Sequence, residues 1–162
     1  MVNPTFRAVD AGAFRELMGS FATGVTVVTA MDPAGKPAGM TASAVAALSL
    51  VPPLLLVCVD HAADFHQVAT TASVFGVNVL SEGQEALSVR FAEKGNDKFD
   101  QVRHLVRDGV PLLDGALAQI VCRRIDRIDQ GDHTILIGEV TGGTVVGGNP
   151  LVHFRGAYRT TV

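Results

Sequence analysis

Gly24-Val25-Thr26-Val27-Val28-Thr29-Ala30, then Asp32-Pro33-Ala34-Gly35, then Pro37-Ala38-Gly39-Met40-Thr41-Ala42-Ser43-Ala44-Val45 form the stretch that decides the fold. The first run is rich in β-branched residues, which suit a pleated, half-buried strand. The second puts Pro and Gly where a tight turn wants them. Pro37 to Val45 therefore reads as the returning strand of a hairpin.

Upstream, Asp10 is placed to cap a helix running to Phe21, in which Phe14, Leu17, Met18 and Phe21 recur at three and four residues and predict one buried stripe packed on a sheet. Downstream, Pro52 and Pro53 start a strand, Leu54 to Val59, whose unbroken apolar run predicts burial on both faces. Ala62 to Ala72 reads as a helix and Val74 to Leu80 as a strand. Ser81-Glu82-Gly83-Gln84 has the form of a capping box ahead of a short helix to Ala92.

Glu93 to Asp108 is polar, shows no sustained period and reads as a covering loop. The last third reads as strands: Ala116 to Asp129, a turn at Gln130-Gly131, His133 to Val146, a turn at Gly147-Gly148-Asn149-Pro150, and Leu151 to Arg159. Helices interrupt the strands without alternating regularly with them, so the class is α+β, mainly β, an antiparallel barrel with peripheral helices. Neither an internal repeat nor a linker breaks the 162 residues, and a single domain is expected.

Composition narrows the function classes. The chain is 48% hydrophobic and 18% charged, which predicts a packed globular body with some surface left for subunit burial. Its net charge of -3 and the lack of a basic stripe argue against nucleic acid or an anionic membrane as partner. Met1 to Ala13 carries no basic region followed by an apolar run, and no apolar run reaches bilayer length, so a cytoplasmic protein is expected.

Cys58 and Cys122 lie 64 residues apart in apolar runs and read as buried free thiols. The chain has no Gly-x-Gly-x-x-Gly after a strand, no Walker-type phosphate loop and no Gly-x-Ser-x-Gly elbow. The glycines from Gly142 to Gly148 read as a hairpin connection. The histidines are scattered, and His61 and His66, five apart, do not share a helix face, so no metal site is expected. Any catalysis here would borrow its chemistry from a cofactor.

Several segments taken in order carry a resemblance: Phe14 to Thr29, Gly39-Met40-Thr41-Ala42-Ser43-Ala44-Val45 with Leu48-Ser49-Leu50, Phe75 to Ser81, Arg90-Phe91, Asp97-Lys98-Phe99, Gly131-Asp132-His133-Thr134 to Val140, and Pro150 to Tyr158. Together they resemble the flavin reductase-like, FMN-binding split-barrel proteins from about Phe14 to Arg159. Within that family the nearest likeness is to the short reductase components of two-component flavin-dependent monooxygenases.

The resemblance implies a homodimer that takes a hydride from NADH or NADPH, reduces FMN or FAD, and passes reduced flavin to a separate monooxygenase. Ala42, Ser43, Ala44, Val45 and Ser49 would approach the flavin ring and ribityl chain, with Val59 and Asp60 near its pyrimidine edge. Asp60 also reads as a helix cap. Many relatives carry Ser or Thr where this chain has Asp60-His61-Ala62-Ala63-Asp64. Ser81 would meet a phosphate at a helix start or simply cap that helix. Arg90, Lys94 and Lys98 would neutralise phosphate, and Phe91 would pack beside the cofactor or complete the core.

His133 would stand beside the nicotinamide as the catalytic residue, with Arg155 and Tyr158 contacting the nucleotide. The alternatives are a non-catalytic flavin carrier or sensor on the same fold, an oxidase of the pyridoxamine-phosphate type, and a ligand-free structural dimer.

Overall fold

A computed structural model describes residues 8–95 and 97–161. Residues 1–7, most of the stretch read for a leader, lie outside the described residues, as do Asn96 and Val162. The protein is mainly β. In chain order the elements are α1 (Ala11–Gly19), β1 (Thr23–Gly24), β2 (Thr26–Met31), β3 (Pro37–Ala42), β4 (Val45–Ser49), β5 (Leu54–Asp60), α2 (His66–Thr71), β6 (Val74–Val79), α3 (Glu85–Ala92), β7 (His104–Arg107), β8 (Val110–Leu113), β9 (Ala118–Gln130), β10 (His133–Val145), β11 (Val152–Phe154) and β12 (Ala157–Arg159).

The opening hairpin stands where its turn chemistry put it. β2 pairs antiparallel with β3, and Asp32 Oδ1 accepts from the Ala34 and Lys36 amides to close the turn. The principal sheet has the order β3-β2-β6-β9-β10-β5-β4. Its two edge strands, β3 and β4, are consecutive in the chain and joined only by Ser43 and Ala44. Seven flat strands would hold those edges about 29 Å apart, whereas two linking residues reach about 11 Å. The sheet therefore curls strongly until its edges approach, and the Ser43-Ala44 link marks where they meet.

That curl wraps a core of Val28, Leu55, Val57, Val59, Phe65, Phe75, Val77, Cys122 and Leu136. Gly138 is small for a steric reason: a Cβ there would stand 2.5 Å from Phe75 Cζ and 2.8 Å from Cys122 Cβ. A second core, with Val25, Val27, Leu80, Phe91, Leu113 and Leu151, joins α3 and the β1-β11-β12 sheet to the other face. The wholly buried Asn78 connects these layers: its Nδ2 donates to Val27 O (3.1 Å) and Thr29 Oγ1 (3.3 Å), and its Oδ1 accepts from Leu113 N (2.8 Å).

Several expectations are corrected. Asp10 caps α1 as read, but only Ala13 of that helix is buried, and Phe14, Leu17, Met18 and Phe21 are 51–67% exposed. The periodicity correctly marked one apolar face, and among the described residues nothing covers it. β5 alternates buried and half-buried residues because only one side of the curled sheet faces the core. The chain from Pro37 to Val45 breaks at Ser43-Ala44, and β4 crosses to the other edge of the sheet.

The segment read as a loop ends in β7, the first strand of the β7-β8 hairpin, which turns at Asp108 (φ 52°) and Gly109 (φ 76°). Leu151 to Arg159 is likewise a hairpin, turned at Arg155 (φ 50°) and Gly156 (φ 75°). Gly142 and Gly143 lie inside β10, next to a register shift opposite β9, and not in a connection. The helix expected over Ala62 to Ala72 is confined to α2, the residues before it forming turns.

Candidate functional site

The residues singled out in the sequence fall into three neighbourhoods. The first is the crossover where the sheet edges meet. Ala42 ends β3 buried, its carbonyl accepting from Thr26 Oγ1 at 2.7 Å, while Ser43 and Ala44 are exposed and Ser49 closes β4 half-buried. Ala44 O accepts from Cys58 N, tying the link to β5. The Val59 side chain is wholly buried, leaving it only backbone groups to offer, and Asp60 Oδ1 accepts from Ala62 N at 2.7 Å within the turns that precede α2, so Asp60 caps no helix, the N-cap of α2 being Phe65.

The second neighbourhood is α3 and the segment after it. Thr41 Oγ1 donates to Ser88 O at 2.6 Å, laying α3 along β3. Arg90, Lys94 and Lys98 line one groove of about 350 Å³ together with Glu93, Gly95 and Asp97. Arg90 is already engaged: Nε donates to Lys98 O (2.7 Å), and Nη2 donates to Asp100 O (2.6 Å) and Asp97 O (3.2 Å), bracing the loop. Lys98 Nζ donates to Phe91 O at 3.2 Å. Burial pulls the Lys98 ammonium below the usual lysine range, against the opposing pull of Asp64 and Glu93.

Two expectations on this helix change. Phe91 is wholly buried and meets Phe99 edge to face, so its ring completes the core and does not face a ligand. Ser81 is not at the helix start: α3 begins at Glu85 behind Gln84. Half of the capping box exists, Gln84 Oε1 accepting from Ser81 N, but Ser81 Oγ donates instead to Gly115 O at 3.0 Å.

The third neighbourhood lies where β5 meets the β9-β10 turn. His133 opens β10 directly opposite Asp60. Its Nδ1 stands 2.7 Å from Asp132 Oδ1, so Nδ1 carries the proton and donates, and Nε2 is left for a ligand. Beside it runs a network of Thr134, Asp129, His66 and His61. Thr134 Oγ1 donates to Asp129 Oδ1 at 2.6 Å and lies 2.9 Å from His66 Nε2; with the hydroxyl proton committed, His66 Nε2 must be the donor.

His61 Nε2 is 3.7 Å from Asp129 Oδ1, and its ring meets that of His66 edge to face at 5.0 Å. The Thr134 hydroxyl, chiefly, with His61, Arg127 and His66, holds the Asp129 carboxyl below its ordinary range, and the His133 bond does the same for Asp132. His61 and His66 were discounted on helical spacing, but His61 lies in the turn before α2, where that rule does not apply. Among the described residues no cluster of His, Cys, Asp and Glu is arranged to hold a metal ion.

Arg155 and Tyr158 belong to the small β1-β11-β12 sheet and not to the sheet that carries His133. The Tyr158 hydroxyl is 2.8 Å from Ser88 Oγ. Arg155, in the β11-β12 turn, donates its amide to Gly19 O and lines a groove with Arg15 and Ser20. Both cysteines are free thiols, and burial pushes Cys122 up to about 12, removing it as a nucleophile at neutral pH.

The fold is that of a small, mainly-β protein whose two edge strands are joined by an exposed link of small residues, with a groove lined by three basic side chains and a histidine at a strand start. Residues 18–161 match the family model described as "Flavin reductase like domain". The chain belongs to that family.

It is 45% identical over 157 residues to a probable flavin reductase of Rhizobium meliloti, covering 96% of this chain and 50% of that one. It is 43% identical over 150 residues to FMN reductase (NADH) SmoA of Agrobacterium fabrum, covering 92% and 85%. Its fold matches the NADH:FAD oxidoreductase SgcE6 of Streptomyces globisporus with a TM-score of 0.90 at 37% identity, covering 98% and 99%. The chain thus spans half the length of the first of these relatives and nearly the whole of the last.

Proposed function

We propose that this protein is a flavin reductase, one domain whose curled sheet is the family's split barrel. It would oxidise NADH or NADPH, reduce FMN or FAD, and supply the reduced flavin to a separate monooxygenase. The observation that carries the proposal is the convergence of Arg90, Lys94 and Lys98 on one groove at the C-terminal end of α3, within a chain of this family. Relatives described as reductase components of monooxygenases support the transfer to a partner oxygenase.

The donor set fits a phosphate-bearing flavin. Lys94 and Lys98 would hold the phosphate, with Arg90 keeping the loop that carries Lys98 in place. Ser43, Ser49 and the backbone of Ala42, Ala44, Val45, Val59 and Asp60 would meet the ring and ribityl chain. When bound, flavin supplies the two-electron acceptor that the side chains lack. The protein's share is orientation: it holds two planar groups at reacting distance and excludes water. Asp132 fixes the His133 tautomer so that Nε2 faces the nicotinamide side, where His133 orients the carboxamide or holds a proton. Arg155 and Tyr158 are the remaining nucleotide contacts.

The exposed apolar face of α1 supports a homodimer, since a standard interface buries about 800 Å² per partner around such residues. Two free thiols fit a reducing, cytoplasmic compartment, and no helix among the described residues is long and apolar enough to cross a membrane.

The test is loss of reduced-nicotinamide absorbance with NADH or NADPH and FMN, FAD, riboflavin or no flavin. Saturable, flavin-dependent turnover is expected. No turnover despite flavin binding would move the protein to the carrier reading. In single-turnover mixing, His133→Ala should slow hydride transfer by about tenfold or more, the scale of losing reactive alignment, while flavin affinity stays near wild type.

A further inference from the structure

His133 is tied down through both of its chain neighbours, and by the same segment. On one side the His61 amide donates to Asp132 O at 3.0 Å, fixing the residue whose carboxylate sets the His133 tautomer. On the other, the wholly buried Thr134 hydroxyl accepts from His66 Nε2 at 2.9 Å and donates to Asp129 Oδ1 at 2.6 Å. His61 precedes α2 and His66 opens it, so one short stretch of chain reaches both flanks of the histidine.

Packing alone does not call for a hydroxyl at this place. Val would fill the same volume, and a buried hydroxyl is costly unless it is bonded. Thr134 is bonded in a fixed direction. The Asp129 carboxyl is held below its ordinary range, by that hydroxyl first, and stays an acceptor at neutral pH, so the Thr134 proton points at Asp129 and a lone pair is left for His66. Thr134 and Asp129 are direct partners across β9 and β10, one step in from the Gln130-His133 pair that closes the turn. The His61 and His66 rings meet edge to face at 5.0 Å, which keeps the two tethers in register with each other.

We propose, on the flavin reductase reading above, that His66 and Thr134 are positioning residues for hydride transfer: they touch neither ligand, and together they hold the β9-β10 turn so that His133 stands where the nicotinamide meets the flavin. The segment they anchor to follows directly on Asp60, on the flavin side, while His133 serves the nicotinamide side. The tether therefore fixes one ligand's contacts against the other's. Misplacement by about 1 Å can cost on the order of a hundredfold in rate, and with the His61-Asp132 tie still in place a smaller loss is expected.

The test is single-turnover flavin reduction in the full-length protein and its variants, at a temperature where all are folded. Thr134→Val keeps the shape and removes both bonds, His66→Phe removes only the donor, and Thr134→Ser and His66→Gln keep the hydrogen-bonding groups. Asn78→Ala is the stability control, since its strand meets β9 at Gln119, the opposite end of β9 from Asp129. Hydride transfer in Thr134→Val should slow by about tenfold at unchanged flavin affinity, with the Ser and Gln variants near wild type. Combining His66→Phe with Thr134→Val should slow it no further, because both act through one bond. Nitrogen NMR of His133 should show a single tautomer in wild type and a mixture in Thr134→Val.

Slowing in Thr134→Val no greater than in Asn78→Ala, additive slowing in the double variant, or Ser and Gln variants as slow as Val and Phe would each overturn the positioning role. So would a His133 spectrum unmoved in Thr134→Val. In all of these cases turnover by wild type leaves the reductase reading standing, whereas a wild type that binds flavin and oxidises no reduced nicotinamide overturns that reading itself.

Discussion

Asn78 is the polar centre of an apolar interior, and replacing it with Ala tests how the layers are held. Three hydrogen bonds disappear: two donated by Nδ2 to Val27 O and Thr29 Oγ1, and one accepted from Leu113 N. Thr29 Oγ1 keeps its own donated bond to Pro111 O at 2.6 Å but loses the proton that Asn78 Nδ2 gave it. A buried amide left without a partner costs about 1–3 kcal/mol. With the small void left beneath β8, the expected loss is about 2–4 kcal/mol. For a chain of this length each kcal/mol moves Tm by about 2–4 °C.

Urea unfolding should show a lower midpoint at an unchanged slope, and the Leu113 amide should exchange faster than its neighbours. Asn78→Asp adds a signed control. It keeps the acceptor for Leu113 but buries a carboxyl, whose folded pKa rises above its unfolded value of about 3.9. The folded state then binds more protons than the unfolded state over that interval, so stability falls as pH rises through it. The variant should be nearest to wild type in mild acid. A loss below about 1 kcal/mol for Asn78→Ala, or an Asp variant most stable at alkaline pH, would refute the account.

Phe91→Ala should destabilise by about 3–5 kcal/mol in thermal unfolding with flavin affinity little changed; a cofactor-wall role would give the reverse. Thr134→Val removes the hydrogen bond that chiefly holds Asp129 down, so its carboxyl pKa, followed by carbon NMR titration, should rise toward the ordinary value. The Asp129 contribution to stability is present above its unfolded pKa and fades as pH falls through the depressed folded one, and in the variant that acid-side loss should shrink. Lys98 is depressed by burial, so an arriving phosphate should raise its pKa, seen as proton uptake on FMN binding in alkaline buffer. No uptake would place the phosphate elsewhere.

What was legible in the sequence is what local chemistry alone determines. Asp10 capped its helix, Asp32 to Gly35 made its turn, and the long β9-β10 pair, Ala118–Gln130 and His133–Val145, lies close to the bounds expected around the Gln130-Gly131 turn. The two missed hairpins had a readable signal. Asp108-Gly109 and Arg155-Gly156 both place two residues at positive φ, and Asp-Gly is the stronger short-range hairpin mark of the two, yet the polar surroundings of the first masked it. The exposure of α1 was not legible, because a 3.6-residue stripe states that a face is apolar and never which surface covers it.

The site was legible as an inventory of residues and not as a set of roles, and Arg90 shows why. A sequence presents its guanidinium as a free cation beside Lys94 and Lys98, but the fold spends Nε and Nη2 on three carbonyls of the chain that carries Lys98. Lys94 stays exposed, whereas Lys98, half-buried on the loop that Arg90 braces, already donates one Nζ–H to Phe91 O. The same logic separates Ser81, whose hydroxyl is spent on Gly115, from Ser43, which the crossover leaves exposed. A polar group serves a ligand only where the backbone has not already claimed it, and that claim depends on contacts between residues distant in the chain.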